Sequence, residues 1–499
     1  MTTLSAKERW QRLDSKRQQV LERARECAKL TIPALVPPEG HTDNDELPTP
    51  YQSMGARGVN NLSSKILLAV LPPGQSVFRY QIAPKVREAM GSNITEAEQK
   101  LTQREQEIGR KIEGSNARPV MAEVAKHLVV AGNALMHVPD SDDLRMYRID
   151  QFVICRAPNG DPLEAVVKYC ASPSSLSEAT IAACDVNPAS KDYVDVFTVI
   201  EWRGTRQIEW QEINGKQVPG SFGSVPKEKS AWIPLRWTSV PGQDYGRSHV
   251  EEYLGDLRSL EGIYEAVIQF AAAAAKILFL VHPNSSTDFD DIVNAESGEA
   301  VKGNKNDIDV LQIEKLADFQ TAKSIADELT LRLSHAFLLK SGTVRNAERV
   351  TAEEIRELAQ ELEDALGGVY TVLADEFQLP FVRLMIHEMQ QARELPALPE
   401  KVVNPIIVTG FQALGRNHAV NKLRAFLNDL KALDPELTTV NKLVVARRLG
   451  VGWGVEDLDE LLLTEEDMQS TTENNVAANI VDKTAAPVAG AVAKAVAGQ

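Results

Sequence analysis

The chain has 499 residues, 43% of them hydrophobic and 25% charged, which is enough apolar material for a sizeable core and enough length for more than one domain. A formal net charge of −16 argues against a surface that grips nucleic acid broadly, because neutralising phosphates takes clustered Lys and Arg, so any such contact is local. The cysteines Cys27, Cys155, Cys170 and Cys184 show no metal-ligand spacing and do not suggest a disulfide framework, in keeping with synthesis in a reducing cytoplasm.

The N-terminal residues are too polar for a secretory signal, and from 6 to 30 a heptad-like pattern predicts an exposed amphipathic helix. A Pro- and acid-rich loop leads into TPYQSMGARGVNNLSSKILLAVLPPGQSVFRY at 49–80. Pro48 and Pro50 disfavour helix before Tyr51; Val59, Leu62, Ile66, Leu67 and Val70 then recur at helical spacing until Pro72 and Pro73 stop it. Arg57, Asn60 and Asn61 stand close to that apolar face, which predicts hydrogen bonds to neighbouring backbone. Helices follow at 95–112 and 119–130.

After Gly132 the texture turns to short β-like runs. Val194, Val196, Thr198, Ile200 and Trp202 share one strand face, and Asn214-Gly215 is the favoured pair for a two-residue hairpin turn. Pro241, Gly242 and Gly246 mark a linker, after which Ser248 and Glu251 form a capping box. The helix expected from 249 to about 280 would be roughly 50 Å long. Its most apolar part, 266–281, is interrupted by Gln269 and Lys276 and falls short of the roughly 18–20 apolar residues of a membrane span, so no membrane partner is expected. A small αβ insert to 319 and a helix from 320 to 339 complete the pattern of a protruding two-helix stalk with a tip. A polar loop at 340–349 precedes a second capping box, Thr351 with Glu354, and a very long helix in which Gly367, Gly368 and Pro380 are built-in kink points. A strand-like VVNPIIVT, two amphipathic helices and a low-complexity tail close the chain.

Chemical motifs fail one by one. Gly410–Asn417 is close to a phosphate-binding loop, but Arg416 stands where its lysine belongs and Asn417 replaces the magnesium-holding Ser or Thr. His387 and Glu388 begin a zinc-protease helix motif in which Gln391 occupies the second histidine position. His127, His137 and His335 sit among apolar neighbours and read as satisfied core residues. No catalytic residue, metal or cofactor is expected.

The run at 49–80 resembles the T7-like podovirus portal proteins, the head-to-tail connector family, and so do SHVEEYLGDLRSLE at 248–261 and ERVTAEEIRELAQELEDALGGVYTVLADEFQ at 348–378. Together these runs extend the resemblance over most of the chain, with Arg57, Asn60 and Asn61 as signature scaffold residues. The resemblance implies an α+β, mainly helical portal fold assembling into a dodecameric ring: wing at 1–247, stem helices at 248–280 and 320–339, clip at 281–319, tunnel loop at 340–350, further wing with the long kinked helix at 351–463, and crown or flexible tail at 464–499. It implies a non-enzymatic channel at one capsid vertex of the virion for packaging and ejecting double-stranded DNA. The implied partners are copies of the chain, the major capsid and scaffolding proteins, the packaging terminase, a tail adaptor and internal core proteins. Lys340, Arg345 and Arg349 would face the DNA from the tunnel loop. Repeated around a ring, they could touch phosphates while the acid-rich turn beginning at Glu353 keeps the duplex from sticking, both effects reaching about 8–10 Å. The other readings are a nucleotide-binding enzyme using 410–417 and a monomeric α+β scaffold.

Overall fold

The computed structural model describes residues 4–42, 44–73, 76–83, 94–141, 143–274, 278–281, 289–297, 308–311, 316–339, 368–396 and 403–407, with a few single positions elsewhere. The chain divides into two compact units, 1–94 with 100–410 and 95–99 with 411–499; the second holds few described residues, and the elements below build the first.

Helix α1 (Ala6–Lys29) starts at a reciprocal capping box: the Ser5 hydroxyl accepts from the Glu8 N–H, and the Glu8 carboxylate accepts from the Ser5 N–H. It is amphipathic as its pattern predicts, with one face exposed and the other buried. Leu13, Leu21, Ala24 and Cys27 are buried, and the arginines of that side pair within the protein. Arg9 bridges Glu164 and Glu201 at 2.7 and 2.5 Å, and Arg17, only 3% exposed, donates to the carbonyls of Ile149 and Phe152. Long arginine stems cover apolar surface while their heads find carbonyls and carboxylates, so a helix of polar composition still buries one face.

Helix α2 (Met54–Val70) stops at Leu71, as the following prolines require, and strand β1 (Phe78–Ile82) comes next. Helices α3 (Ile94–Gly114) and α4 (Ala117–Ala131) fall where expected, and α4 packs its length against α2 and α1. At its end Gly132 takes φ +72, and a Cβ there would lie 2.6 Å from the Arg247 carbonyl carbon, so only glycine fits.

A small antiparallel sheet in the order β10-β2-β3 joins β2 (Asn133–His137), β3 (Arg145–Tyr147) and β10 (Trp232–Arg236). The larger sheet runs β4 (Phe152–Arg156), β5 (Pro162–Ala171), β6 (Val194–Arg203), β7 (Arg206–Ile213) and β8 (Lys216–Gln217), with β9 (Gly223–Pro226) also on β7. Asn214 and Gly215 form the expected turn at φ 52° and 73°. Strand β6 is buried on both faces: Ile200 and Trp202 join the main core, while Phe197 and Val199 lie under Ala6 and Leu13 of α1. The residues after β10 are no linker. Trp237 and Tyr245 are buried, and Asn133 both donates to the Gly246 carbonyl (2.9 Å) and accepts its N–H (2.8 Å).

Ser248 caps α5 (His249–Glu252), accepting from the Glu251 N–H. The expected unbroken helix to 280 is interrupted at Tyr253, whose N–H bonds the Val250 carbonyl three residues back, before α6 (Leu254–Ala274) resumes. Leu278–Val281 is then a strand, β11, antiparallel to β12 (Ile308–Leu311). A four-residue apolar run does not distinguish strand from helix by periodicity. Helix α7 (Leu316–Ala336) returns antiparallel to α6, since Arg332 near its end pairs with Asp256 near the start of α6 at 2.9 Å.

Gly368 is the N-cap of α8 (Val369–Leu373), a π-helical turn spans Ala374–Gln378, and α9 (Leu379–Gln391) follows. Pro380 cannot donate into the ladder, and the widened turn directly before it accommodates that loss. Strand β13 (Val403–Ile407) pairs with β1, a strand that the sequence reading did not foresee. Pro405 is tolerated because β13 has this one neighbour among the described residues.

Candidate functional site

The three sequence runs, separated by up to about three hundred residues, meet on α2. At its N-terminal end the Glu261 carboxylate, from the second run, accepts the N–H groups of Tyr51 (2.9 Å) and Gln52 (3.2 Å). A carboxylate there also complements the positive end of the helix dipole. The Gln52 side chain donates to the Leu30 carbonyl at 2.7 Å and accepts the Gly55 N–H at 2.8 Å, tying the start of α2 to the end of α1. At the other end Gln378, from the third run and 1% exposed, donates to the Val70 carbonyl at 2.7 Å. An orphan carbonyl at the C-terminal end of α2 is thus satisfied by a distant side chain, and at the other end a distant carboxylate fixes the residues that lead into the helix.

The middle of α2 holds the end of α7. Asn61 Nδ2 donates to the carbonyls of Phe337 (2.9 Å) and Leu338 (3.1 Å), and Lys65 Nζ to that of Leu338 (3.0 Å). His249 Nε2 donates to the Ala336 carbonyl at 3.0 Å. Gly58 makes the approach possible, since a Cβ there would lie 2.5 Å from the Phe337 ring. That ring packs edge-on to His249, with centroids 5.3 Å apart. The last turn of α7 closes with Leu338 at φ 54°, the Leu338 N–H on His335 (3.1 Å) and the Leu339 N–H on Ser334 (2.8 Å), the pattern of a left-handed helix stop.

A second brace lies beside it. Glu376, in the π-helical turn, accepts from Arg236 Nε at 2.9 Å and from the Arg236 backbone N–H at 3.0 Å. Arg156 lies 4.0 Å away, its guanidinium pushed down to about 10 by burial despite the opposing charge of Glu376.

Of the signature residues, Asn61 makes the backbone hydrogen bonds expected of it. Arg57 and Asn60 are exposed, on the turn of α2 that faces away, and the expectation fails for their side chains. Reasoning from sequence missed Lys65, Glu261, Gln378 and His249. The available signal for Lys65 was its place one turn after Asn61, between Leu62 and Ile66. Lys340, Arg345, Arg349, Gly367 and the loop at 410–417 lie outside the described residues.

His387 contacts Gln391 at 3.0 Å, and Glu388 accepts from Ser141 (2.8 Å) and Lys111 (3.2 Å), which makes this pair part of the packing. His127 is buried and pushed down to about 4, first by burial, but its Nδ1 has no hydrogen-bond partner, and His335 is exposed; neither is the satisfied core residue expected. Among the described residues no group of His, Cys, Asp and Glu could hold a metal, and no helix is long and apolar enough to cross a membrane.

Mixed helix and sheet are held together around one central helix by hydrogen bonds between distant segments, to which Asn61 of the signature residues contributes. Residues 4–456 match the family described as bacteriophage head to tail connecting protein. The chain is 36% identical to the portal protein of Enterobacteria phage T3, with 96% of this chain and 92% of the relative covered, and 37% identical to that of Escherichia phage T7, with 93% and 89% covered. The portal protein of Enterobacteria phage SP6 is 32% identical, with 84% and 81% covered. The chain belongs to this family of head-to-tail connecting portal proteins.

Proposed function

We propose that the chain is the subunit of a dodecameric ring at one vertex of the phage capsid, through whose channel double-stranded DNA enters during packaging and leaves on ejection. The observation that best supports this reading is the antiparallel pair α6 and α7, rooted on α2 at one end and joined at the other by the β11–β12 strand pair. In this reading, residues 248–280 and 320–339 are stem, 281–319 clip, 1–247 and 351–463 wing, and 464–499 crown or tail. The subunit catalyses nothing itself. A separate terminase ATPase docks on the clip during packaging and tail adaptors replace it, while capsid, scaffolding and internal core proteins surround the ring in the virion.

Residues 340–350 form the tunnel loop, and Lys340, Arg345 and Arg349 meet the phosphates without reading sequence. Electron microscopy of the purified chain tests the assembly: rings with an axial channel are expected, and uniform monomers across a range of salt would defeat the proposal. For the loop, Arg349→Ala is expected to leave rings intact and lower the DNA packaged or retained per particle; unchanged DNA content removes the role assigned to Arg349.

A further inference from the structure

We infer that Asn61, Lys65 and His249 are positioning residues that hold Leu338 in the left-handed region and so fix the direction in which the chain leaves α7. At φ 54° the Leu338 Cβ crowds the following carbonyl, and the position one past a helix end is ordinarily given to glycine, less often asparagine. Leucine is instead a good helix former, and the sequence Phe337-Leu338-Leu339 contains nothing that would stop α7 on its own. The stop is therefore imposed from outside.

Three side chains impose it, on three successive carbonyls. His249 takes Ala336, Asn61 takes Phe337 and Leu338, and Lys65 takes Leu338. A helix that continued would commit those carbonyls to a further turn of its own N–H groups, along its axis and away from these donors. Lys65 is 1% exposed, and a buried ammonium on a carbonyl makes one of the stronger hydrogen bonds available. The close seat of Phe337 over Gly58 keeps α2 within reach of all of them. The functional consequence rests on the reading above: the clamp fixes the course of the chain through Leu339, the residue immediately before the proposed tunnel loop.

Hydrogen exchange followed by mass spectrometry on the peptide ending at Leu339 tests the clamp in the full-length protein. Lys65→Met, which keeps the stem and removes the donor, is expected to speed exchange there by about 10–100-fold while α4 is unchanged. Asn61→Ala, at a half-buried position, is expected to do the same more weakly and serves where Lys65→Met does not fold. Adding Leu338→Gly to either variant is expected to recover most of the protection, because glycine holds the left-handed turn without help. A merely structural role for Lys65 gives no such recovery. Unaltered exchange in both variants, or no recovery with Leu338→Gly, overturns the inference. Altered exchange with unchanged DNA content in assembled particles supports the clamp and overturns the DNA-facing role of the loop.

Discussion

Two buried titratable residues bias the pH response of this fold in opposite senses. Burial lifts the Glu105 carboxyl to about 7, against the pull of the Tyr80 N–H that it accepts at 2.7 Å and of the Arg79 charge. Between its ordinary value of 4.5 and about 7, the folded chain keeps a proton that the unfolded chain has released. Stability therefore falls as pH rises through that window. His127 works in the opposite sense: held neutral down to about 4, it costs stability as pH falls below its ordinary 6.5. Glu105→Gln keeps an acceptor for Tyr80 and removes the ionisation. Denaturant unfolding at pH 5 and pH 8 is expected to show the variant more stable than the parent at pH 8 by about 2–3 kcal/mol and close to it at pH 5. An equal difference at both values shows that Glu105 does not titrate in this range. At this scale the sequence was legible for Asn61, whose place beside an apolar face implied a backbone partner. It was silent on Lys65, because a lysine at the edge of an apolar stripe is ordinarily solvated and its acceptor lies 273 residues further along the chain.

Among the elements, those whose pattern depends on local spacing were legible, and those decided by a distant partner were not. The turn at Asn214-Gly215, the capped start at Ser248 and the ends of α2 follow from residues within a few positions of each other. In helix α1 the amphipathic pattern was legible but the depth of the buried side was not, because Arg9, Arg12 and Arg17 look solvated until the sheet that receives them is in place. The same sheet explains β6: alternation predicted one buried face, and α1 covers the other. This makes the burial of α1 measurable. Leu13 is 3% exposed against Val153, Val166, Phe197 and Val199, so Leu13→Ala is expected to cost about 2–4 kcal/mol by chemical denaturation. A cost near zero would mean that this face of α1 adds nothing to the packing. The long helix from 249 failed for a different reason: small residues and an apolar run allow both a helix and the strand β11, and it is pairing with β12 that decides.

For the whole molecule, the pattern of helix, insert and returning helix was the most legible feature, and its consequence is an exposed apolar surface that one subunit leaves uncovered. Ile268 on α6 and Ile325 and Leu331 on α7 are 45%, 46% and 42% exposed. Charged neighbours such as Glu265, Lys323 and Asp327 alternate with them, the mixture expected where identical helices pack head to tail around an axis. If the ring is built on this pair, a charge at one of these exposed apolar positions is tolerated by the subunit and rejected by the assembly, because it meets water in one and a neighbour's apolar side chain in the other. Ile325→Asp is therefore expected to leave the unfolding midpoint of the subunit within about 0.5 kcal/mol of the parent, since exposed positions carry little stability. It is expected to shift the mass measured by light scattering from ring to subunit, with Ile268→Asp behaving alike. Rings that form normally with both changes would mean that the neighbour's contacts lie elsewhere on the subunit.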